Sequence, residues 1–354
     1  MRVTETIHVR EDERFDAEAV ESYLRERIEG LPEGELEVRQ FPSGASNLTY
    51  LFKIGDWEGV LRRPPVGPVP PKAHDMGREY AILSRLNPHF PLAPAPYFFC
   101  EDEAVIGAPF YVMERRRGVV IDDTFPEEIE PTPELCRRLS DTVCDTLVRL
   151  HEVDWKVAGL YGIGRPEGFL ERQVEGWIAR YDKAKTEEIE EVRPLTVWLS
   201  ASVPESPPPT IVHNDYKLNN LVLDSGDPTA PVALLDWEMT TIGDPLFDLA
   251  VSLSYYVEPG DSEDLKRVIP TVTATPGFMT REEFMKRYAQ RSGRDLSEMH
   301  WYMVFCYFKL AVIIQQIYAR WKKGQTEDER FSNFDERVRT IILHAYNLSR
   351  SDSG

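Results

Sequence analysis

Two stretches of this 354-residue chain hold polar side chains at a spacing that can do chemistry, IVHNDYKLNNLVLD (211–224) and VALLDWEMTTIGDPLFDLA (232–250). His213, Asp215, Lys217 and Asn220 fall on a loop that leads into the apolar run LVLD, and Asp236 ends a second apolar run, VALLD. The SGDPTAP segment between the runs reads as the turn of a hairpin. Folding that hairpin is expected to bring Asn220 and Asp236 to one edge, with Asp215 beside them. A carboxylate and an amide oxygen suit a hard cation such as Mg²⁺, which takes oxygen donors and keeps waters. Asp215 is then a second carboxylate, able to orient a hydroxyl or accept its proton. Lys217 could face a transferring phosphoryl group as a point charge. Metal, base and cation with little covalent chemistry are the equipment of phosphoryl transfer.

The elements that must position these groups fall into two textures. Up to about residue 115 the chain reads as a small α/β unit. Asp16 can cap a helix carrying Val20, Tyr23, Leu24 and Ile28 on one face, ended by Gly30. The runs 36–41, 48–54, 57–63, 98–100 and 110–115 read as a five-stranded antiparallel sheet, crossed by one helix over 76–86. From about 130 onward the spacing turns helical over 133–150, 168–183, 187–200, 279–290, 296–322 and 327–348, with a compact β insertion over 211–236. Asp244 is placed to cap a helix that starts near Pro245, and Asp248 to bond the loop carrying Asp215.

With those elements in place, H-x-D-x-x-x-x-N followed by an aspartate at a strand end resembles the catalytic and metal-binding loops of the protein-kinase-like superfamily. The whole chain, over roughly 35 to 345, resembles its aminoglycoside phosphotransferase/choline kinase branch. It is similar in particular to the phosphotransferase domain fused to some acyl-CoA dehydrogenases. FPSGASNLTYLFKI (41–54) looks like the nucleotide loop, VLRRPP (60–65) the strand with the phosphate-binding cation, REYAIL (78–83) its partner helix, and FYVMER (110–115) the hinge over an adenine. The resemblance implies an α+β, bilobal kinase-like fold, with a nucleotide-binding lobe over 1–115 and a helical lobe over 116–354.

It implies ATP and Mg²⁺ as cofactors. Asp215 would be the base, Asn220 and Asp236 the metal ligands, and Arg62 the phosphate contact paired with Glu79. Ser43, Gly44, Ser46, Asn47, Met113 and Glu114 would line the nucleotide. Three departures stand out: Arg62 where lysine is commonest, a loop with Gly44 as its one glycine, and Asp-Trp-Glu (236–238) in place of Asp-Phe-Gly. The reaction expected is transfer of the ATP γ-phosphate to a small-molecule hydroxyl. The acceptor is an aminoglycoside-like polycation or, from the closer resemblance, a hydroxyacyl-CoA or hydroxy acid held by Arg63, Lys72 or Arg115 to Arg117. A silent nucleotide-binding scaffold is the remaining alternative, and the chain lacks the activation segment of a protein kinase.

Composition fits this reading. With 41 Lys+Arg against 60 Asp+Glu, the net charge of −19 argues against nucleic acid or anionic membrane as a partner. No signal-peptide core precedes the first helix. The greasiest run, 301–314, is expected to be a core helix too short to cross a bilayer. Cys136 and Cys144 lie about 12 Å apart on a straight helix, beyond disulfide reach. Reduced thiols in a cytoplasmic monomer or homodimer are the expectation.

Overall fold

The computed structural model describes residues 6–42, 47–66, 74–326 and 328–351. Ser43, Gly44 and Ser46 of the expected nucleotide loop, and Lys72, lie outside the described residues. The chain divides into two compact units. The first joins Met1–Gly118 with two later stretches, Lys156–Ile163 and Val232–Glu238, so Asp236 belongs to it. The second joins Val119–Trp155, Gly164–Pro231 and Met239–Gly354.

In the first unit, the Asp16 carboxylate accepts from the Glu18 and Ala19 N–H groups and starts helix α1 (Ala17–Arg27). Strands β1 (Glu37–Gln40), β2 (Leu48–Ile54) and β3 (Trp57–Arg63) follow, then helix α2 (Met76–Leu86) and strands β4 (Pro96–Cys100) and β5 (Phe110–Glu114). The sheet is antiparallel in the order β1-β2-β3-β5-β4. Alternation along β2 buries Leu48, Tyr50, Phe52 and Ile54 on one face. Leu48, Tyr50 and Phe52 pack with Val20 and Leu24 of α1 and with Leu61, Phe98, Phe110 and Val112 of the other strands. The apolar stripe of α2, Met76, Ile82, Leu83 and Leu86, is buried with one charged residue in it, Glu79.

The second unit is mainly helical: α3 (Pro133–His151), α4 (Phe169–Ala184), α5 (Val192–Ala201), strands β6 (Thr210–Val212), β7 (Leu221–Leu223) and β8 (Pro231–Leu234, whose last residues belong to the first unit), strand β9 (Thr241–Gly243), then α6 (Pro245–Ser254), α7 (Glu263–Val268), α8 (Arg281–Ser292), α9 (Met299–Lys322) and α10 (Phe334–Arg350). Asp224 closes the turn after β7: its carboxylate accepts from Gly226 and Asp227, and its N–H meets the Ala230 carbonyl at 2.9 Å. β6 pairs antiparallel with β9, which sets the loop after β6 beside the start of α6.

Three sequence expectations are corrected here. The helix expected over 187–200 begins at Val192, because Pro194 is tolerated only in a first turn. The helix expected from 327 begins at Phe334, after a single 3₁₀ turn capped by Asp328. The apolar run 301–314, expected to be too short to cross a bilayer, lies within α9, the helix expected over 296–322, whose 24 residues are long and apolar enough to do so by length and composition. It is nevertheless a core helix, packed on α10, α6 and α4 with most of its surface buried. Helix α7, too short for its periodicity to show, was not expected.

Gly277 lies at φ +104°, and a Cβ there would run into the Pro133 backbone at the start of α3. Gly277→Ala is therefore expected to cost about 3 kcal/mol, from overpacking and left-handed strain together. Thermal unfolding followed by circular dichroism should show a midpoint roughly 5 °C or more lower.

Candidate functional site

In the first unit the polar groups gather on Arg62 of β3. Its register opposite Thr49 and Tyr111 turns the guanidinium to α2, where Nη1 meets Glu79 Oε1 at 2.5 Å. Nη2 reaches Asp236 Oδ1 at 3.3 Å. Burial opposes the Arg62 charge, but Glu79 and then Asp236 hold its pKa up, so it is cationic. Burial pushes the Glu79 carboxyl up, against the pull of Arg62. The pairing expected of Arg62 and Glu79 is thus present, with Asp236 as a third member.

Asp236 sits in the left-handed region at φ +67°, unusual for a residue with a side chain. The buried Trp237 anchors the turn: its indole N–H donates to the Leu234 carbonyl at 2.7 Å, and its ring meets Phe90 edge-on. Glu238 then accepts from the Asn47 amide at 2.8 Å, and Arg78 donates to the Glu238 carbonyl. The Asn47 amide oxygen lies 2.9 Å from His74 Nδ1. Asn47, expected to line the nucleotide, has both ends of its amide engaged within the protein and pins the end of the loop instead.

At the end of β5, Met113 is buried, and the Glu114 N–H donates to the Ala95 carbonyl. The Glu114 carboxylate accepts from Ala95 and pairs with Arg116 at 2.6 Å. Neither of those Glu114 groups is left for an adenine. Of the basic residues considered for an anionic acceptor, Arg63 is buried and donates to the Ile106 carbonyl, and Arg117 pairs with Glu58.

In the second unit the loop after β6 is shaped from beneath by Asp248 on α6. Its Oδ2 accepts from the His213 N–H and its Oδ1 from the Asn214 N–H, both at 2.7 Å. Asn214 takes φ +65°, and the buried Lys309 of α9 donates to its carbonyl at 3.0 Å. Behind Asp248, His151 Nε2 lies at 3.1 Å and His151 Nδ1 lies 2.6 Å from the Tyr288 hydroxyl. Burial keeps His151 neutral by pulling its pKa down, so Nε2 donates to Asp248 while Nδ1 accepts from Tyr288. Burial also pushes Asp248 up, but the His151 and loop N–H groups outweigh it and hold its pKa below the usual range. Asp244 caps α6 through Leu246 and Phe247, as expected.

This frame presents Asp215. Lys217 Nζ stands 3.0 Å from Asp215 Oδ2. The Asn220 amide nitrogen donates to the Asp215 carbonyl at 2.8 Å and to Oδ2 at 3.3 Å, leaving the Asn220 amide oxygen as its group for a cation. The Tyr255 hydroxyl donates to Asp215 Oδ1 at 3.3 Å. Lys217 is thus a partner of the carboxylate, a role the sequence reading did not assign it. Lys309 was the one charge in an apolar run, a legible signal; Tyr255 had none.

A family model described as the phosphotransferase enzyme family matches residues 37–302. The chain belongs to that family. Acyl-CoA dehydrogenase family member 11 of Gallus gallus is 32% identical over 98% of this chain and 45% of that protein, so the phosphotransferase spans less than half of such a relative. A crystal structure from Ralstonia eutropha, provisionally labelled an aminoglycoside phosphotransferase, is 29% identical with a TM-score of 0.81, covering 95% of this chain and 99% of the other. The aminoglycoside phosphotransferase APH(4)-Ia, crystallised with AMP-PNP and hygromycin B, shares the fold at a TM-score of 0.58, 16% identical over 94% of this chain and 99% of its own. The chain therefore has the kinase-like α+β fold of the aminoglycoside phosphotransferases.

Two outcomes follow from the buried charges of this member of the family. Arg62→Met strands Glu79 without a partner and is expected to cost about 3–5 kcal/mol in denaturant unfolding, whereas Arg62→Lys, which keeps a cation, costs less. Asp248 has a lowered folded pKa, so its stabilising contribution is complete above its unfolded value near 4 and is lost as pH falls through the folded one. Asp248→Asn is expected to be less stable at pH 7 by about 2–4 kcal/mol and to lose less than the parent between about pH 5 and pH 2 in thermal scans.

Proposed function

We propose that the chain is a small-molecule kinase that transfers the γ-phosphoryl group of ATP to an acceptor hydroxyl. The observation that carries this reading is Asp215 itself: a partly exposed carboxylate with donors on both oxygens, on a loop whose backbone is fixed by Asp248 and Lys309. Such a carboxylate orients an incoming hydroxyl and takes its proton as the oxygen bonds to phosphorus. Lys217 offsets charge beside it, and phosphoryl transfer asks for little else beyond positioning. Arg62, already charged and aimed from β3, is the cation proposed for the nucleotide phosphates.

Mg²⁺ is the metal this reading asks for: the Asp236 carboxylate and the Asn220 amide oxygen are each the kind of oxygen donor it takes, with waters beside them. Among the described residues no cluster of three or more His, Cys, Asp or Glu side chains offers a rival site. When bound, the metal supplies neutralisation of phosphate charge.

For the acceptor we favour a hydroxy acid or its CoA thioester over a polycationic antibiotic. The relative that shares this domain is named for an acyl-CoA dehydrogenase. Beside Lys217, an open pocket is walled by hydroxyl-bearing side chains (tyrosine, threonine and serine) and by apolar ones, with Asp122 as the one carboxylate in its lining. A polyamine would need several.

The test is ADP release with Mg²⁺ and ATP across aminoglycosides, amino alcohols, hydroxy acids and hydroxyacyl-CoA thioesters. Acceptor-dependent release is expected from the last two classes, abolished by EDTA and lowered about 10²–10⁴-fold in Asp215→Ala, the range for losing a general base. Stimulation by aminoglycosides alone would reverse the choice of acceptor. ATP binding without release for any acceptor would favour a silent scaffold.

A further inference from the structure

We infer that Tyr255 is a positioning residue for the phosphoryl-transfer reaction, holding Asp215 through its hydroxyl and Lys217 through its ring; this deepens the kinase reading and rests on it. Tyr255 follows the last turn of α6, the helix whose Asp248 fixes the same loop from below. Its hydroxyl lies 3.3 Å from Asp215 Oδ1, the oxygen that neither Lys217 nor Asn220 engages. Its ring faces Lys217 Nζ at 4.9 Å, so the ammonium sits between an anion and a π-face. A single rigid side chain thereby sets the rotamers of both the carboxylate and its cation. Burial, and then the Asp215 charge, push the Tyr255 hydroxyl well above its ordinary pKa, so it remains a donor throughout the working range.

The surroundings agree with that role. Tyr255 and Lys217 together face an open pocket of about 70 Å³, walled also by Asn219, Asp122, Thr271 and Phe278. Asn219 is tied back to Asp122 at 2.7 Å, which keeps its amide away from Asp215. Space for several water-sized groups lies beside Lys217 and Tyr255, the two side chains that meet Asp215. An acceptor approaching from this pocket would meet an Asp215 whose direction Tyr255 has already set.

The experiment compares the full chain with Tyr255→Phe, which keeps the ring, and Tyr255→Leu, which keeps neither contact. Two readouts are used. The first is acetylation of Lys217 by trace acetic anhydride, mapped by mass spectrometry, which requires no acceptor. Tyr255→Phe should label like the parent, and Tyr255→Leu about two- to fivefold faster, the size of an exposed cation–π contact. The second is acceptor-dependent ADP release, where Tyr255→Phe should lose about tenfold in kcat with the KM for ATP unchanged, as expected for one hydrogen bond to a charged group. Equal Lys217 labelling in all three chains, or an unchanged kcat in Tyr255→Phe, overturns the positioning role. A KM for ATP that rises with kcat unchanged also overturns it, since that would be a general structural effect. Should the parent release no ADP with any acceptor, the kinase reading fails by itself, and the labelling result still decides whether Tyr255 holds Lys217.

Discussion

A carboxylate with no exposed surface must have its charge met by hydrogen bonds, and Asp248 meets it with the backbone of the loop that does the chemistry. The His213 and Asn214 N–H groups both point at it, and His151 completes its shell. This one requirement dictates the path of the loop: two successive amides turned inward force Asn214 into a left-handed conformation. Its carbonyl is thereby turned to Lys309 and the next side chain, Asp215, is carried to a partly exposed position among Lys217, Asn220 and Tyr255. The polar core beneath the loop extends through His151 and Tyr288 to α8, so α3, α6, α8 and the loop after β6 converge on a single buried anion.

The first unit solves a comparable problem with a cation. Arg62 is buried in the sheet and cannot shed its proton, so Glu79 must sit in the apolar stripe of α2 to balance it. Asp236 is reached by the remaining arm of the guanidinium, and the left-handed turn at that residue is held by Trp237. A lysine ammonium has three donors on a single nitrogen, and only the planar guanidinium fork sets the two carboxylates on separate nitrogens. The arginine in place of the commoner lysine therefore accompanies a bridge between two carboxylates, Glu79 and Asp236. The contact of Asn47 with Glu238 adds a second tie in the same unit, through the residue that stands where the resemblance would place glycine.

Much of this was legible from residue types and spacing. The alternation of β2, the Gly55 turn that follows it, and the Asp16 and Asp244 caps are local devices, and the structure places those elements close to their expected bounds. The Arg62–Glu79 pair and the bond from Asp248 to the loop were also expected, the first from resemblance and the second from the position of an acid just inside a helix. What escaped were contacts between residues far apart in sequence. Tyr255 reaches Asp215 across 40 positions, Lys309 reaches Asn214 across 95, and Asn47 reaches Glu238 across 191. The end of α9 at Lys322 was legible, as expected over 296–322, although the helix is buried on most sides.

By itself, the sequence determined which groups could act: the short spacing of Asp215, Lys217 and Asn220 lies within one loop, and chemistry at that range depends on residue type. It also determined the elements whose signals are local, the capped helices and alternating strands. Only the tertiary structure decided what each group is bound to. It turned Lys217 onto Asp215, engaged both ends of Asn47 and the Glu114 carboxylate inside the protein, and brought Tyr255 and Lys309 to the loop. The physical reason is burial: once a charge or amide leaves water, its partner is whatever donor or acceptor packing brings within reach, and that choice is made by chain segments that local spacing cannot see.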